Sequence, residues 1–222
     1  NPESTGETPP LPDDTLGGDE VAAATPPPPR RRPRNNDRRP VSTFEFASGS
    51  DDGSIKIWSA SNLRCQLTLH AGHNVGILVL AALPGKLACG ADDGSIIIFD
   101  TRTWASLQRI QGEAENNEIW ALAVVDHYLV SGSVNAAIKV WNTQTWTCER
   151  DVLNHDGPVY ALAALQNHLV SGSSDETIAA YSTDWQPELD GGNSCSGVWA
   201  LTIHNDRIVS GGVNGVIRIW DR

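Results

Sequence analysis

The 222-residue chain contains no methionine. An initiator is therefore missing, which predicts a fragment or a processed chain and makes any count of structural units a lower bound. Cysteine is scarce and scattered: Cys65, Cys89, Cys148 and Cys195 stand 24, 59 and 47 residues apart. With no CxxC pair or Cys/His cluster to close around zinc, reduced and semi-buried thiols of a cytoplasmic or nuclear protein are expected. Long apolar runs are absent as well. The longest, such as Ile119 to Val125, are far too short to cross a bilayer, and no charged-then-apolar leader opens the sequence, so neither membrane insertion nor secretion is expected. No P-loop, HExxH or GxSxG occurs, and no cofactor is expected. Basic charge is also lacking, the net formal charge being −11.

What is present divides near residue 41. Ten of the thirteen prolines fall in residues 1–40, a stretch with few aliphatic or aromatic side chains to offset the entropy of ordering, and it reads as a disordered Pro/Arg-rich tail. Its first 25 residues carry six acidic groups, and residues 26–40, PPPPRRRPRNNDRRP, carry six arginines. Pro26, Pro29 and Arg31 fit the P-x-x-P-x-R pattern of a polyproline ligand for an SH3-type domain, and Arg30 to Arg34 resemble a nuclear-import or polyanion-binding cluster; a solvated tether is the plainer reading. From Val41 onward there are ten basic and twenty acidic residues, a net −10. Such a body repels a phosphate backbone, which excludes nucleic acid and favours basic protein segments as partners.

Residues 41–222 are repetitive. GSDDGSIKIW at 49 returns as GADDGSIIIF at 90, GSVNAAIKVW at 132, GSSDETIAAY at 172 and GGVNGVIRIW at 211. The closing aromatics Trp58, Phe99, Trp141, Tyr181 and Trp220 stand 41, 42, 40 and 39 residues apart, the signature of a repeat architecture. Asp52, Asp93, Asn135, Asp175 and Asn214 each lie six residues before the aromatic; His73, Glu115, His155 and Ser194 lie twenty before the last four of these. Length varies only between an aromatic and the next loop.

Within each unit NVGILVLA, EIWALAVV, PVYALAAL and GVWALTIH are near-continuous apolar runs, as in strands covered on both faces. LACG, LVSG, LVSG and IVSG follow as second strands, then SIKIW, SIIIF, AIKVW, TIAAY and VIRIW as third strands, alternating where a side chain meets solvent. Asp, Asn and Gly between them predict a tight turn. The more polar Arg64–Leu69, Ser106–Ile110 and Thr147–Leu153 read as a fourth, outer strand. Four antiparallel strands per 40 residues make a propeller blade, and the fold expected is all-β.

Gly72-His73 and Trp220-Asp221, with the constant spacing of five copies, resemble the WD40 (WD-repeat) β-propeller family over residues 44–222. The repeat style is most similar to F-box/WD and myosin-heavy-chain-kinase-like propellers. The resemblance implies blades at about 44–70, 71–111, 113–153, 154–190 and 193–222, about four and a half in number and an incomplete, open ring. It also implies a hydrogen-bonded tetrad of loop His, second-strand Ser, turn Asp and third-strand Trp. Blade one offers Ser48, Asp52 and Trp58; blade two His73 and Asp93, with Cys89 and Phe99 out of pattern; blade four His155, Ser171 and Asp175, with Tyr181 replacing Trp. No blade has the full set, and blade four is expected to be the best stapled of those with four strands.

His155, Ser171 and Asp175 also mimic a nucleophilic triad, but recurrence of the same positions with inert substitutions in other blades makes them structural, and no enzymatic activity is expected. The paired carboxylates Asp51-Asp52 and Asp92-Asp93 lie in tight turns, which argues against a metal site. By resemblance to peptide-binding propellers, Leu78, Trp120, Tyr160, Trp199, Asp51 and Asp92 line the top face. Arginines that would grip a phosphopeptide are absent there. Aromatics beside carboxylates suit a basic or apolar peptide, although packing between blades is an equal reading of the rings. The function expected is therefore a protein-protein interaction scaffold. Phe99-Asp100-Thr101-Arg102 resembles the ending by which some WD proteins dock on a cullin-type ligase, which leaves open a substrate receptor of a ubiquitin ligase, with Asp100 and Arg102 docking the adaptor. A targeting module of a larger kinase or ligase is the third possibility.

Overall fold

The computed structural model describes residues 45–222 apart from 73–74, 112–116, 153–154, 166–167, 183, 194–195, 206 and 222. The tail motif Pro26, Pro29 and Arg31, and with it His73, Glu115, Ser194 and Cys195, lies outside the described residues. All described residues fall in one compact unit, Ser42–Arg222.

The described residues form eighteen strands in five antiparallel sheets. Sheet one holds β1 (Glu45–Gly49), β2 (Ser54–Ser59) and β3 (Cys65–His70); sheet two β4 (Ile77–Leu83), β5 (Lys86–Ala91), β6 (Ile96–Asp100) and β7 (Ser106–Ile110). Sheet three holds β8 (Ile119–Val125), β9 (Tyr128–Ser133), β10 (Ile138–Asn142) and β11 (Cys148–Val152). Sheet four holds β12 (Val159–Leu165), β13 (His168–Ser173), β14 (Thr177–Tyr181) and β15 (Pro187–Asn193), and sheet five β16 (Val198–His204), β17 (Arg207–Gly212) and β18 (Ile217–Trp220). The inner strands β4, β8, β12 and β16 lie side by side. The sheets are the blades of a propeller that is open among the described residues.

One turn geometry recurs between second and third strands. In all five copies the side-chain Oδ1 of the turn Asp or Asn accepts the N–H two residues on, from Asp52 to Ser54 (2.8 Å), Asp93 to Ser95 (3.0 Å), Asn135 to Ala137 (3.0 Å), Asp175 to Thr177 (2.8 Å) and Asn214 to Val216 (3.1 Å). An amide oxygen serves as well as a carboxylate, so this task does not require charge. The residue after the turn Asp or Asn takes a positive φ: Gly53, Gly94 and Gly215 satisfy it freely, while Ala136 (69°) and Glu176 (70°) bear its strain.

The core lies between blades. Four apolar clusters each join one sheet to the next, and the third strands show how. Ile96 and Ile98 face sheet three, whereas Ile97 and Phe99, on the same strand, face sheet one. The alternation expected to separate core from solvent instead divides side chains between two neighbours, and β6 is buried at four successive positions. Aromatics point backward (Phe99, Trp141, Tyr181) and aliphatics forward (Ile138 and Val140, then Ile178 and Ala180). In sheet five the forward-facing Ile217 and Ile219 are 73% and 64% exposed.

A glycine near the end of each middle strand lets the next blade approach. A Cβ on Gly49 would lie 2.4 Å from Ile77 Cγ2; on Gly90, 2.7 Å from Ile119 Cγ2; on Gly132, 2.6 Å from Val159 Cγ1; on Gly172, 2.5 Å from Val198 Cγ1. At Gly211, in sheet five, the nearest atom is Ala200 Cβ at 3.7 Å. Gly132→Ala is therefore expected to lower unfolding free energy by about 2 kcal/mol through overpacking, and Gly211→Ala to change it by less than about 0.5 kcal/mol. Urea denaturation of the two variants measures the contrast.

Candidate functional site

Polar side chains of the blades form two partial networks. In blades one, three and five the indole Nε1 of Trp58, Trp141 and Trp220 donates to Ser48, Ser131 and Ser210 at 3.0, 2.9 and 2.9 Å. In blade four the serine turns to the histidine: His155 Nε2 lies 2.7 Å from Ser171 Oγ and its Nδ1 2.9 Å from Asp175 Oδ2. An ionised carboxylate only accepts, so Nδ1 carries a proton toward Asp175, and Nε2 shares a hydrogen bond with the serine hydroxyl. Asp175 also accepts from the Asp156 N–H and the Thr177 hydroxyl. Burial alone would raise its pKa, but the bonds from Thr177, Asp156 and His155 outweigh that and hold the carboxyl below the ordinary range. In this arrangement every donor of the three-residue set is engaged in the blade's own packing.

Blade two departs most. Cys89 and Phe99 are buried at 0% and 4%, and burial pushes the Cys89 thiol up to about 12. Arg109, on the outer strand β7, bridges Asp93 and the carbonyl of Ala71. That residue was not foreseen, because the outer strands carry no repeated motif. Cys65 and Cys148 are exposed and not semi-buried as expected, since both open outer strands on the solvent side.

On the rim, each turn bonds back to the start of its inner strand: Asp92 N–H to Gly76, Val134 to Glu118, Ser174 to Pro158 and Val213 to Gly197, at 2.9–3.1 Å. The next inner-strand residues are the bulges. Pairing slips between Ile77 and Val79, Ile119 and Ala121, Val159 and Ala161, and Val198 and Ala200, leaving Leu78, Trp120, Tyr160 and Trp199 as the extra residue in each. A bulge re-aims the side chain it carries. The outcome is a connected line of rings across three blades: Trp120 meets Tyr160 edge-on with centroids 5.6 Å apart, and Tyr160 meets Trp199 at 5.6 Å with a 55° tilt. Trp199 is 62% exposed and Trp120 39%.

One carboxylate borders this line, at its Trp120 end. Glu118 accepts the Trp120 indole N–H at 2.8 Å, Asp92 lies close over Gly76, and Asp51 is exposed. Glu118 is the second residue the sequence reading missed; its position before the first strand was visible, but nothing in the pattern signalled the bond. Among the described residues no three His, Cys, Asp or Glu side chains are grouped to hold a metal ion.

Asp100 closes the turn after β6. Its Oδ1 accepts from the N–H and hydroxyl of Thr103 and the N–H of Arg102, and these bonds, those from Thr103 foremost, lower its pKa. Arg102 is exposed. Asn142 forms the same turn with Gln144 and Thr145, so Asp100 has a local structural task.

A family model described as WD40, the WD domain or G-beta repeat, matches residues 36–59 and 188–221. The probable coatomer subunit beta' of Schizosaccharomyces pombe is 28% identical over 112 residues, 49% of this chain and 14% of that protein. The computationally designed Ika4 protein superposes with a TM-score of 0.62 at 31% identity, over 68% of this chain and 94% of its own. A chain of the mitotic checkpoint complex superposes with a TM-score of 0.71 at 22% identity, over 80% and 59%.

The depressed pKa of Asp175 has a stability consequence. A carboxyl depressed in the folded state contributes stability that is fully present above its unfolded pKa of about 3.9 and is lost as pH falls through the folded value. Asp175→Asn is expected to destabilise the chain at pH 7, and the gap from the parent to narrow below about pH 4. Urea melts of both proteins at pH 7 and pH 3 test this; a gap of equal size at both would contradict it.

Proposed function

We propose that the chain is a WD-repeat β-propeller, in keeping with the WD40 family model that matches residues 36–59 and 188–221, and that it is a non-enzymatic scaffold that grips a protein partner along the line Trp120–Tyr160–Trp199. The family as a whole is generally non-catalytic and supports a role in protein interaction. The observation that carries the finer reading is the exposure of Trp120 and Trp199 on bulges of β8 and β16, in contact through Tyr160 on β12 between them. Rings serving only to pack between blades resemble Phe99 or Tyr181, buried at 4% and 1%. Large rigid aromatics lose little entropy on binding and dominate contact energies. With Glu118 against Trp120, and Asp51 and Asp92 on the turns of blades one and two, the partner segment is basic or apolar, a lysine or arginine gaining from both the ring faces and the carboxylates.

Binding to an array of arginine- and lysine-rich, apolar and acidic peptides tests the reading. The parent chain is expected to retain basic peptides, more weakly at high salt, and Trp120→Ala with Trp199→Ala to lower that affinity at least about tenfold, roughly 1.4 kcal/mol, without shifting the melting temperature. Retention unchanged by the double substitution would sink the proposal.

A further inference from the structure

Two residues before each bulge stands a rim position, filled by Gly76, Glu118, Pro158 and Gly197 in blades two to five, so that of these blades only the third carries a charged side chain there. The Glu118 carboxylate is half-buried, takes the Trp120 indole N–H on Oε2 and has no partner for Oε1 among the described residues. An indole N–H points outward in the plane of the ring, so the carboxylate sits off the ring's edge and does not cover its face. The turn residues bonded to the four rim carbonyls are Asp92, Val134, Ser174 and Val213. Acid therefore stands at one of these two positions in blades two and three, Asp92 over Gly76 and Glu118 against Trp120, and at neither in blades four and five. The exposed acids of blade four, Asp156 and Glu176, attach beside Asp175, on the β14 side of Ser174. Sheets three and four are each packed against a described sheet on both faces, so the Trp120 end of the line does not owe its exposure to the ends of the chain.

Resting on the reading of the rings as a binding line, we infer that Glu118 gives that line a polarity. It selects an extended partner segment with a single lysine or arginine at the Trp120 end and apolar residues at the alternate places that follow. A cation laid on the exposed Trp120 ring is attracted by the ring face and by the carboxylate at its edge together. Tyr160 and Trp199 offer ring faces with no acid at either rim position. A second cation there loses hydration for a weaker return, whereas an aliphatic side chain gains by leaving water. The spacing suits an extended chain: ring centroids step by 5.6 Å from Trp120 to Tyr160 and again to Trp199, and alternate residues of an extended chain, which share a face, stand about 6.6 Å apart. Cation, spacer, apolar, spacer, apolar is the pattern that lays one side chain on each ring.

Labelled peptides Lys-Ser-Leu-Ser-Leu, Gln-Ser-Leu-Ser-Leu and Lys-Ser-Lys-Ser-Lys are titrated with the full chain and followed by fluorescence anisotropy, at about 0.15 M salt to screen the distant charges of the acidic body. The first is expected to bind at least about fivefold more tightly than either of the others. Glu118→Gln keeps an oxygen for the indole N–H and removes only the charge. It is expected to erase the preference for the first peptide over the second, and to leave the second peptide's affinity and the melting curve in place. No saturable binding of any of the three peptides overturns this inference and the binding line with it. Binding of the first peptide that falls with Trp120→Ala plus Trp199→Ala but not with Glu118→Gln overturns the inference and spares the line. Equal loss of both leucine peptides with Glu118→Gln leaves that residue only the task of holding the ring, and binding of the three-lysine peptide as tight as the first removes the polarity; either contradicts the proposal.

Discussion

Each blade meets the next where a glycine of a middle strand receives a β-branched side chain of the following inner strand. Gly49 with Ile77, Gly90 with Ile119, Gly132 with Val159 and Gly172 with Val198 repeat one contact in which no Cβ fits. The close approach brings forward-facing aliphatics of one third strand against backward-facing aromatics of the next, and the four apolar clusters form there. Stability in such an array is a sum of blade and interface contributions, each blade contacting only its neighbours. The polar network is secondary in this chain, since the indole–serine bond holds in blades one, three and five and the histidine–serine bond in blade four. Blade two lacks the Ser and Trp positions and still buries Cys89 and Phe99 completely enough to seal its interface.

The same stacking positions the candidate site. Packing fixes the first residue of each described inner strand on the preceding glycine, so the bulge that follows takes the same place in blades two to five. Trp120, Tyr160 and Trp199 are consequently neighbours in space although about forty residues apart in sequence. Tyr160 has a ring on either side, and Trp120 and Trp199 retain their exposed faces. The turn carboxylates divide by task and not by depth: Asp52 and Asp93 each accept the N–H two residues on, and Asp93 also the Ser95 hydroxyl, while Asp51 is as exposed as Asp52 and Asp92 as half-buried as Asp93.

Much of this was legible in the sequence because the repeat signals itself through spacing. Ser106–Ile110 is observed as expected, and the outer strands predicted from Arg64 and Thr147 begin one residue later, at Cys65 and Cys148. The turn residue was legible because Asp, Asn and Gly have a local reason to be there. Features that depend on a neighbouring blade were not. A period of two marks the faces of a strand but not what covers each, so the burial of both faces of β6 was hidden. The glycine in LACG and LVSG reads as a strand end until Ile119 or Val159 is placed against it. Arg109 acts across a sheet, and the left-handed turns that place Trp104, Trp146 and Trp185 against the interfaces run against residue preference.

The central claim is that contacts between blades, more than hydrogen bonds within them, decide where this propeller is stable. Native-state amide hydrogen exchange resolved strand by strand tests it most directly. Protection should be greatest in β9 and β13, whose sheets are covered on both faces, and should fall by orders of magnitude in β1 and β18, whose sheets are each covered on one face alone among the described residues. Equal protection in all five sheets, or protection that follows the histidine–serine and indole–serine bonds instead of position in the stack, would contradict the account.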